Sequence, residues 1–208
     1  MGTAEQVGQY KRLQPFVEIM DSTLRDGEQT SGVSFLPHEK LIIARMLLGD
    51  LNVDRIEVAS AKVSEGEKEA VSMICRYAAK VDMLDRVEVL GFIDGGQSID
   101  WIDSCGGKTV NLLAKGSLRH CQEQLKKTPE EHIKDIVEAV KYARKKQMTV
   151  NLYLEDWSNG MKDSPFYVYQ VMDPLRHRHP AVYAARHAGH HESPAMYRVL
   201  PEDDQALS

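Results

Sequence analysis

The chain has 208 residues, of which 42% are hydrophobic and 27% are charged, and this composition is typical of a globular protein. Its formal net charge of −5 gives no electrostatic reason to expect nucleic acid or an anionic membrane as a partner. No apolar run approaches the ~20 residues of a membrane span, and the first residues lack the apolar core of a signal peptide. The three cysteines, Cys75, Cys105 and Cys121, form no CxxC pair, so we expect reduced thiols in a cytoplasmic protein.

From residue 16 onwards, predicted strands alternate with predicted helices, after a polar lead-in over residues 1–15 that we expect to be disordered. Near-continuous apolar runs predict the strands, and apolar residues at helical spacing predict the helices. Thr128, Pro129 and Glu131 match a capping box with proline at the first helical position, which marks the start of one helix. The predicted strands cover residues 17–20, 53–59, 86–92, 109–114 and 149–154. The predicted helices cover residues 37–51, 64–80, 98–105, 128–147 and 165–175.

These strand-then-helix units in series predict a parallel sheet covered by helices. Polar residues follow four of the strands: Arg25 and Asp26, then Glu57, Ser117 and Glu155. In a (β/α)8 barrel such strand ends lie on one face and form one site. A doubly wound open sheet would give the same order of elements, but no glycine-rich GxGxxG or P-loop motif follows any strand. We therefore predict an α/β fold, namely an incomplete (β/α)8 TIM barrel of about five β/α units over residues 16–177, with an irregular C-terminal tail.

The segment after the first strand carries the most specific motif of the chain. Residues 21–29, DSTLRDGEQ, resemble the D-x-T-L-R-D-G-x-Q signature of the 2-isopropylmalate synthase and homocitrate synthase family, which belongs to the DRE-TIM metallolyases with an HMGL-like domain. Residues 56–59, IEVA, resemble the family's second-strand I-E-x-G segment, and residues 154–156, LED, resemble its fifth-strand S-x-E-D segment. The three matches occur in the family's order, and the resemblance covers residues 17–173.

The resemblance implies an acyltransferase that condenses acetyl-CoA with a 2-oxo acid on a divalent metal, of the 2-isopropylmalate synthase type in leucine biosynthesis. For a full-length family member it also implies a homodimer. A 2-oxo acid presents a carbonyl and a carboxylate that together can chelate one cation, and the cation then acts as a Lewis acid and a template.

The same resemblance assigns roles to individual residues. It makes Asp26 the metal ligand, a hard oxygen donor for Mg²⁺, Mn²⁺ or Zn²⁺. It makes Arg25 the group that stabilises the enolate oxygen formed as acetyl-CoA loses a methyl proton, and it places Glu155 near the thioester and the catalytic water. The residues that it assigns to substrate, as groups that position substrate or water or bond a substrate carboxylate, are Gln29, Glu57 and Ser117.

Other interpretations of these residues stay open at the level of sequence. Taken alone, Arg25 and Asp26 form an exposed ion pair, and Glu57 and Glu155 are solvated acids at strand ends. Several further polar residues lie on or beside the predicted helices and strand ends, and we expect them at the surface: His38, His120, His132 and Lys115.

Other functions also stay open. The same arginine and aspartate would serve a carbon–carbon lyase of the HMG-CoA lyase type or an oxo-acid aldolase. A non-catalytic remnant is the alternative from a different class. The identity of the 2-oxo acid depends on the size of a pocket built from several loops, so no single motif specifies it.

The regular pattern stops at about Pro174, and residues 178–208 show neither a strand run nor a helical stripe. His177 and His179 mimic an H-x-H pair of metal ligands, but in the family this pair follows a much later strand, so we reject both as ligands. We interpret residues 178–208 as a non-homologous tail produced by a reading-frame shift near His177. Read one base later, permitted codons for these residues encode a strand, a polar turn and an amphipathic helix similar to the family's sixth unit. Such a chain keeps about five of the eight barrel units, so we expect an inactive and poorly soluble fragment.

Resequencing the DNA across codons 170–185 checks this frameshift hypothesis. We expect a shift of the reading frame near codon 177, either in the gene or in its recorded sequence. An intact frame that encodes the tail as written would contradict the hypothesis.

Overall fold

The computed structural model describes residues 18–176 and 182–183, and its sheet contains six parallel strands in sequential order. The strands are β1 (Met20–Asp21), β2 (Arg55–Ser60), β3 (Val87–Phe92), β4 (Thr109–Lys115), β5 (Thr149–Glu155) and β6 (Val182–Tyr183). The helices are α1 (Pro37–Arg45), α2 (Glu65–Lys80), α3 (Gln97–Ser104), α4 (Leu118–Glu123), α5 (Pro129–Lys145), α6 (Trp157–Asp163) and α7 (Pro165–Arg176). Within these ranges no helix is both long enough and apolar enough to cross a membrane.

The predicted order of strands and helices is confirmed, with element ends shifted by a few residues. The first strand is the least complete match, because residue 17 lies outside the described residues and β1 pairs with β2 only through Met20 and Asp21. Two short helices, α4 and α6, add to the predicted elements after β4 and β5. With six and seven residues respectively, each is too short to show a helical stripe in the sequence.

The sheet is strongly curled, as one contact across it demonstrates. The Tyr153 hydroxyl on β5 lies 3.3 Å from the sulfur of Met20 on β1. In a flat sheet, strands separated by four positions would lie about 19 Å apart. The contact therefore requires the sheet to close toward a cylinder. The prediction of an incomplete barrel is confirmed, and the open doubly wound sheet is excluded.

The two faces of the curled sheet differ in polarity. The outer face carries the predicted apolar residues, such as Ile56, Val58 and Leu112, and the helices cover them. The inner face differs from the near-continuous apolar pattern expected from sequence, because its residues hydrogen-bond to one another across strands. The buried polar residues that alternate with the apolar ones along these strands are Arg55, Glu57, Glu88, Thr109, Asn111 and Asn151.

A two-residue strand lies in the segment for which the sequence predicts no strand. β6 (Val182–Tyr183) pairs in parallel with Leu152 and Tyr153 of β5. Unpaired N–H and C=O groups at the edge of a sheet accept almost any extended segment, so such a short pairing needs no strand-like sequence pattern. The predicted lead-in over residues 1–15 and the rest of the predicted tail lie outside the described residues, as do His177 and His179.

The close approach of α6 to the end of β4 requires glycine at position 160. A Cβ atom on Gly160 would lie 1.9 Å from the carbonyl oxygen of Gly116, which is far inside contact distance. We expect Gly160→Ala to lower the free energy of unfolding by about 1–3 kcal/mol, because the backbone must shift to admit the methyl group. Urea unfolding followed by circular dichroism measures this change.

The matched control for this substitution is Gly66→Ala in the first turn of α2. There a Cβ atom would meet only the Ser64 hydroxyl oxygen, at 3.7 Å. Because alanine favours a helix over glycine, this variant should be neutral or more stable by up to about 1 kcal/mol. Equal unfolding free energies for the two variants would contradict the tight contact at Gly160.

Candidate active site

The loop after β1 is closed by its own side chains and backbone. The Asp21 carboxylate accepts hydrogen bonds from the backbone N–H of Thr23 at 2.9 Å and from its hydroxyl at 3.0 Å. The Ser22 carbonyl accepts from the N–H groups of Arg25, at 3.1 Å, and Asp26, at 2.8 Å. These bonds end the strand and fix Arg25 and Asp26 at its carboxyl end.

Arg25 links the first two strands of the sheet. Its Nε donates to Oε2 of Glu57 on β2 at 2.6 Å, and its Nη1 donates to Oδ1 of Asp26 at 2.8 Å. The Glu57 side chain is 0% exposed and the Arg25 side chain 18%, whereas the Asp26 side chain is 61% exposed. The arginine is therefore a largely buried, preorganised group rather than part of a simple exposed ion pair, and the aspartate beside it faces solvent.

The second oxygen of Glu57 is held by a network inside the barrel. Asn111 on β4 donates to Glu57 Oε1 at 2.7 Å and lies 3.0 Å from the Tyr153 hydroxyl. Asn151 on β5 donates to the Asn111 carbonyl oxygen at 2.8 Å. Both carboxylate oxygens of Glu57 thus contact protein groups, and the side chain stands behind Arg25. Asn111 and Tyr153 lie outside the recognised motifs, although their alternation with apolar residues along β4 and β5 is a signal for inward-facing positions.

The carboxyl ends of β4 and β5 bring Lys115 and Glu155 together. The two residues are register partners, and the Lys115 ammonium contacts the Glu155 carboxylate directly. The Lys115 side chain is only partly accessible, so the expectation that it belongs to a solvated face is wrong. Its position at an inward-facing end of β4 explains the difference.

His132 supports this same strand end. It is 2% exposed, and its Nε2 accepts a hydrogen bond from the backbone N–H of Lys115 at 3.1 Å. Burial, assisted by the positive charge of Lys127, lowers the pKa of His132 to about 4, so the ring is a neutral acceptor at ordinary pH. The expectation of a surface histidine is wrong, because α5 packs this residue against the end of β4.

Ser117 and Asp156 form a second polar contact between the ends of β4 and β5. The Ser117 hydroxyl, which is buried, donates to Oδ2 of Asp156 at 2.7 Å and accepts from the N–H of His120 as the N-cap of α4. Burial opposes ionisation of Asp156, but the hydrogen bonds from Ser117 and Asn159 lower its pKa below the ordinary value. The serine hydroxyl is therefore engaged within the protein in this structure.

Gln29 lies apart from the interior network, in an open cleft beside Arg25. The cleft has a volume of about 360 Å³ and separates the loop after β1 from the segment between β2 and α2. Its polar lining includes Arg25, Gln29, Ser34, Ser60 and Ser64. Gln29 is exposed, so its amide is accessible to a ligand that enters this cleft.

The exposed carboxylate of Asp26 has the chemistry that binds a divalent cation. No group of three or more His, Cys, Asp or Glu side chains within these residues is arranged to hold a metal ion. Asp26 presents an exposed carboxylate at the end of β1. Mg²⁺-like cations are commonly held by one or two carboxylates with water and substrate oxygens in the other positions, and Asp26 fits that type of site.

A curled parallel sheet covered by helices, with an arginine–aspartate pair at the carboxyl end of its first strand, belongs to the β/α-barrel class. The family model described as HMGL-like matches residues 16–179. The chain belongs to this family, and the DRE-TIM resemblance inferred from its motifs is confirmed.

Several synthases are similar to the chain over comparable lengths. The (R)-citramalate synthase CimA of Methanocaldococcus jannaschii is 38% identical over 140 residues, which cover 67% of this chain and 27% of that protein. The 2-isopropylmalate synthase of Saccharolobus solfataricus is 37% identical over 151 residues, covering 72% and 38%. The homocitrate synthase AksA of Methanopyrus kandleri is 38% identical over 141 residues, covering 67% and 34%. The chain thus spans between 27% and 38% of the length of these relatives.

A solved structure shares the fold at lower sequence identity. The hydroxymethylglutaryl-CoA lyase from Pseudomonas aeruginosa superposes with a TM-score of 0.63 at 19% identity, over 81% of this chain and 57% of that one. This likeness shows the common barrel architecture.

Protonation of His132 should destabilise the protein as the pH falls. The pKa of about 4 in the folded state lies below the ordinary 6.5, so the unfolded chain binds more protons between these values. The stabilisation is complete above pH 6.5 and is lost progressively as the pH falls toward 4. We expect this group to lower the free energy of unfolding by about 3 kcal/mol across that window. Urea unfolding at a series of pH values measures the slope.

Two variants isolate the contribution of His132 to this slope. His132→Gln keeps an acceptor for the Lys115 N–H but does not titrate, so its stability should depend less on pH. His38→Gln changes an exposed histidine and should keep the wild-type slope. A slope that is the same for all three proteins would show that His132 does not titrate on unfolding.

Proposed function

We propose that this chain belongs to an acyltransferase that condenses acetyl-CoA with a 2-oxo acid on a divalent metal, and that it carries the Arg25 and Asp26 side of that active site. The observation that carries the proposal is the geometry of Arg25, which is fixed by buried Glu57 and lies beside the exposed carboxylate of Asp26. Names of similar proteins add support, since citramalate, isopropylmalate and homocitrate synthases match at comparable identity.

Arg25 is suited to stabilise negative charge on an oxygen that develops during the reaction. Among the described residues, Nε contacts Glu57 and Nη1 contacts Asp26, which leaves Nη2 to donate to a substrate oxygen. The two contacts hold the guanidinium in place before substrate arrives, so little reorganisation accompanies the reaction. Loss of a proton from the methyl group of acetyl-CoA places charge on the thioester oxygen, and Arg25 is the group we assign to that oxygen.

Asp26 is the residue that we assign to the metal. One of its oxygens contacts Arg25, and the side chain is exposed enough for the other to bind a cation. A bound divalent cation would supply Lewis-acid polarisation of the 2-oxo acid carbonyl. Asp26 would hold it within reach of Arg25, so both reactants would meet at the end of β1.

Glu155 and Lys115 form the opposite side of the proposed site. We assign Glu155 to the region of the thioester and the catalytic water, and its contact with Lys115 fixes the orientation of its carboxylate. We assign Gln29 to substrate because its amide lines the cleft beside Arg25. We assign Glu57 to positioning substrate through its contact with Arg25. Ser117 would bond a substrate carboxylate only if its hydroxyl turned away from Asp156.

The choice of 2-oxo acid is a finer proposal, for which we favour the 2-isopropylmalate type in leucine biosynthesis. Isopropylmalate, citramalate and homocitrate formally derive from acetate and 2-oxoisovalerate, pyruvate or 2-oxoglutarate, so these three acids form the test panel. The structural likeness to lyases concerns the fold alone and does not favour carbon–carbon cleavage.

Metal binding by Asp26 is the first test of this function. We expect the wild-type chain to bind Mn²⁺ in the presence of 2-oxoisovalerate, and Asp26→Asn to weaken that binding about ten-fold or more, because a neutral amide replaces the charged, exposed carboxylate that we assign to the metal. The decrease of the free Mn²⁺ signal in electron paramagnetic resonance measures the affinity. Asp50→Asn, at an exposed position after α1, is the matched control and should bind as the wild type does.

Thiol release from acetyl-CoA is the second measurement, made with each of the three acids. If turnover is detected, Arg25→Lys should lower it by about 10²–10³-fold, because lysine cannot keep the paired contacts of a guanidinium. Absence of Asp26-dependent Mn²⁺ binding would contradict the proposal and favour a non-catalytic protein.

A further inference from the structure

Lys40 of α1 is a fully buried lysine behind the proposed site, with 0% of its surface exposed. Its Nζ lies 2.6 Å from a carboxylate oxygen of Glu28 and 2.6 Å from one of Glu67. It also donates to the backbone carbonyl of Leu24 at 3.0 Å and lies 3.4 Å from that of Val58. Burying an ammonium group is costly unless it is paired and hydrogen-bonded, and here its three donors serve four acceptors.

These acceptors flank the two residues on which the site depends. The Leu24 carbonyl belongs to the peptide group that leads into Arg25, and Val58 directly follows Glu57. Glu28 also accepts a hydrogen bond from the N–H of Phe35 at 2.9 Å, which fixes the far end of the same loop. One ammonium group therefore holds the backbone on both sides of the contact between Arg25 and Glu57.

The Glu67 side chain pairs with Lys40 instead of completing a capping box with Ser64. Ser64 and Glu67 have the spacing of a capping box, and the Ser64 hydroxyl accepts from the Glu67 N–H at 3.1 Å. The Glu67 carboxylate, however, pairs with Lys40, and no reciprocal cap bond forms within α2. Burial raises the pKa of Glu67, with a further contribution from the charge of Glu28. The pairing with Lys40 thus takes precedence over the cap.

We propose that Lys40 is a positioning residue that sets the distance between Arg25 and Glu57 by holding the backbone of both from behind. The inference rests on the proposed function, because it concerns the arginine that we assign to the thioester oxygen. Lys40 has no exposed surface through which it could contact substrate. Its effect is to keep the 2.6 Å contact between Arg25 and Glu57, which a small shift of the loop after β1 would break.

The test uses a variant that removes the ammonium without leaving an excess of buried charge. Lys40→Met alone would leave the Glu28 and Glu67 carboxylates facing each other. Lys40→Met combined with Glu67→Gln keeps the net charge of the cluster unchanged when all its groups are ionised. The readout is the ¹⁵N–¹H signal of the Arg25 Nε–H group, assigned by its disappearance in Arg25→Lys.

A lysine elsewhere in the chain provides the matched control. Lys146 also bridges two carboxylates, with its Nζ 2.8 Å from Asp100 and 3.0 Å from Asp103, but it joins α3 to the end of α5 in the outer layer. Lys146→Met combined with Asp103→Asn therefore removes an equivalent bridge away from the site. This control should keep the Arg25 signal of the wild type.

In the Lys40 variant we expect the Arg25 Nε–H to lose its distinct chemical shift and to exchange with water about ten-fold faster or more, as for a lost charge-assisted hydrogen bond. Circular dichroism and the remaining amide signals establish that the variant is folded. A folded Lys40 variant with the wild-type Arg25 signal would overturn the proposal. Equal loss of the signal in the Lys146 control would also overturn it, since the effect would then be general destabilisation.

A measurement on the wild type decides the question if the Lys40 variant does not fold. The N–H groups of Asp26 and Gly27 both bond to the Ser22 carbonyl within the loop after β1. If Lys40 fixes this loop, these amides should exchange with solvent in the same cooperative unit as the amides of α1. The proposal would be overturned if the loop amides exchanged through a local opening that left the amides of α1 protected.

Failure of this inference and failure of the proposed function are distinguishable. The Arg25 signal is measured without metal or substrate, whereas the proposed function is judged by Mn²⁺ binding and thiol release. A Lys40-dependent Arg25 signal without Asp26-dependent Mn²⁺ binding would support the positioning role and contradict the function. Asp26-dependent Mn²⁺ binding, together with an Arg25 signal that is the same in the wild type and the Lys40 variant, would support the function and overturn the positioning role.

Discussion

The contact between Arg25 and Glu57 is the constraint on which the rest of the inner structure depends. A carboxylate that is fully buried is tolerated only when it is paired and hydrogen-bonded, because desolvation of an unpaired charge costs several kcal/mol. Arg25 supplies the charge and Asn111 supplies the remaining hydrogen bond. This requirement explains why the inner face of the sheet carries asparagines where a parallel sheet usually carries valine or isoleucine. Apolar residues at these positions would leave one Glu57 oxygen without a partner.

The same network explains why curling of the sheet and assembly of the site are one event. Glu57 on β2 reaches Asn111 on β4, and Tyr153 on β5 reaches Met20 on β1, so each contact skips at least one intervening strand. Such contacts form only when the strands wrap around a common interior. Packing of apolar side chains between the outer face and the helices provides most of the burial. The inner polar contacts hold the curvature at which β1 and β5 face a common interior.

The elements that local patterns specify could be predicted from the sequence, and the contacts between distant residues could not. The stripe of apolar residues and the Thr128 capping box define α5 in the chain itself, because a helix face and its cap are set by neighbours within a few residues. The burial of Lys40 and His132 could not be predicted from the sequence, because lysine and histidine are usually exposed. Their buried contacts depend on partners up to 27 residues away. Arg25 and Asp26 were identifiable only because several residues of one contiguous motif carry the information.

The charges around the loop after β1 give a physical reason why this end of the barrel would attract a cation. Two cationic side chains in this region, when all groups are ionised, face four carboxylates: Arg25 and Lys40 against Asp26, Glu28, Glu57 and Glu67. Three of the carboxylates are wholly or largely buried and are turned toward the arginine or the lysine. Only that of Asp26 is more than half exposed, so the excess negative charge is accessible from solvent at that one residue. A divalent cation at Asp26 would balance the excess, and the electrostatics of the loop therefore support the same metal assignment as the chemistry of its exposed oxygen.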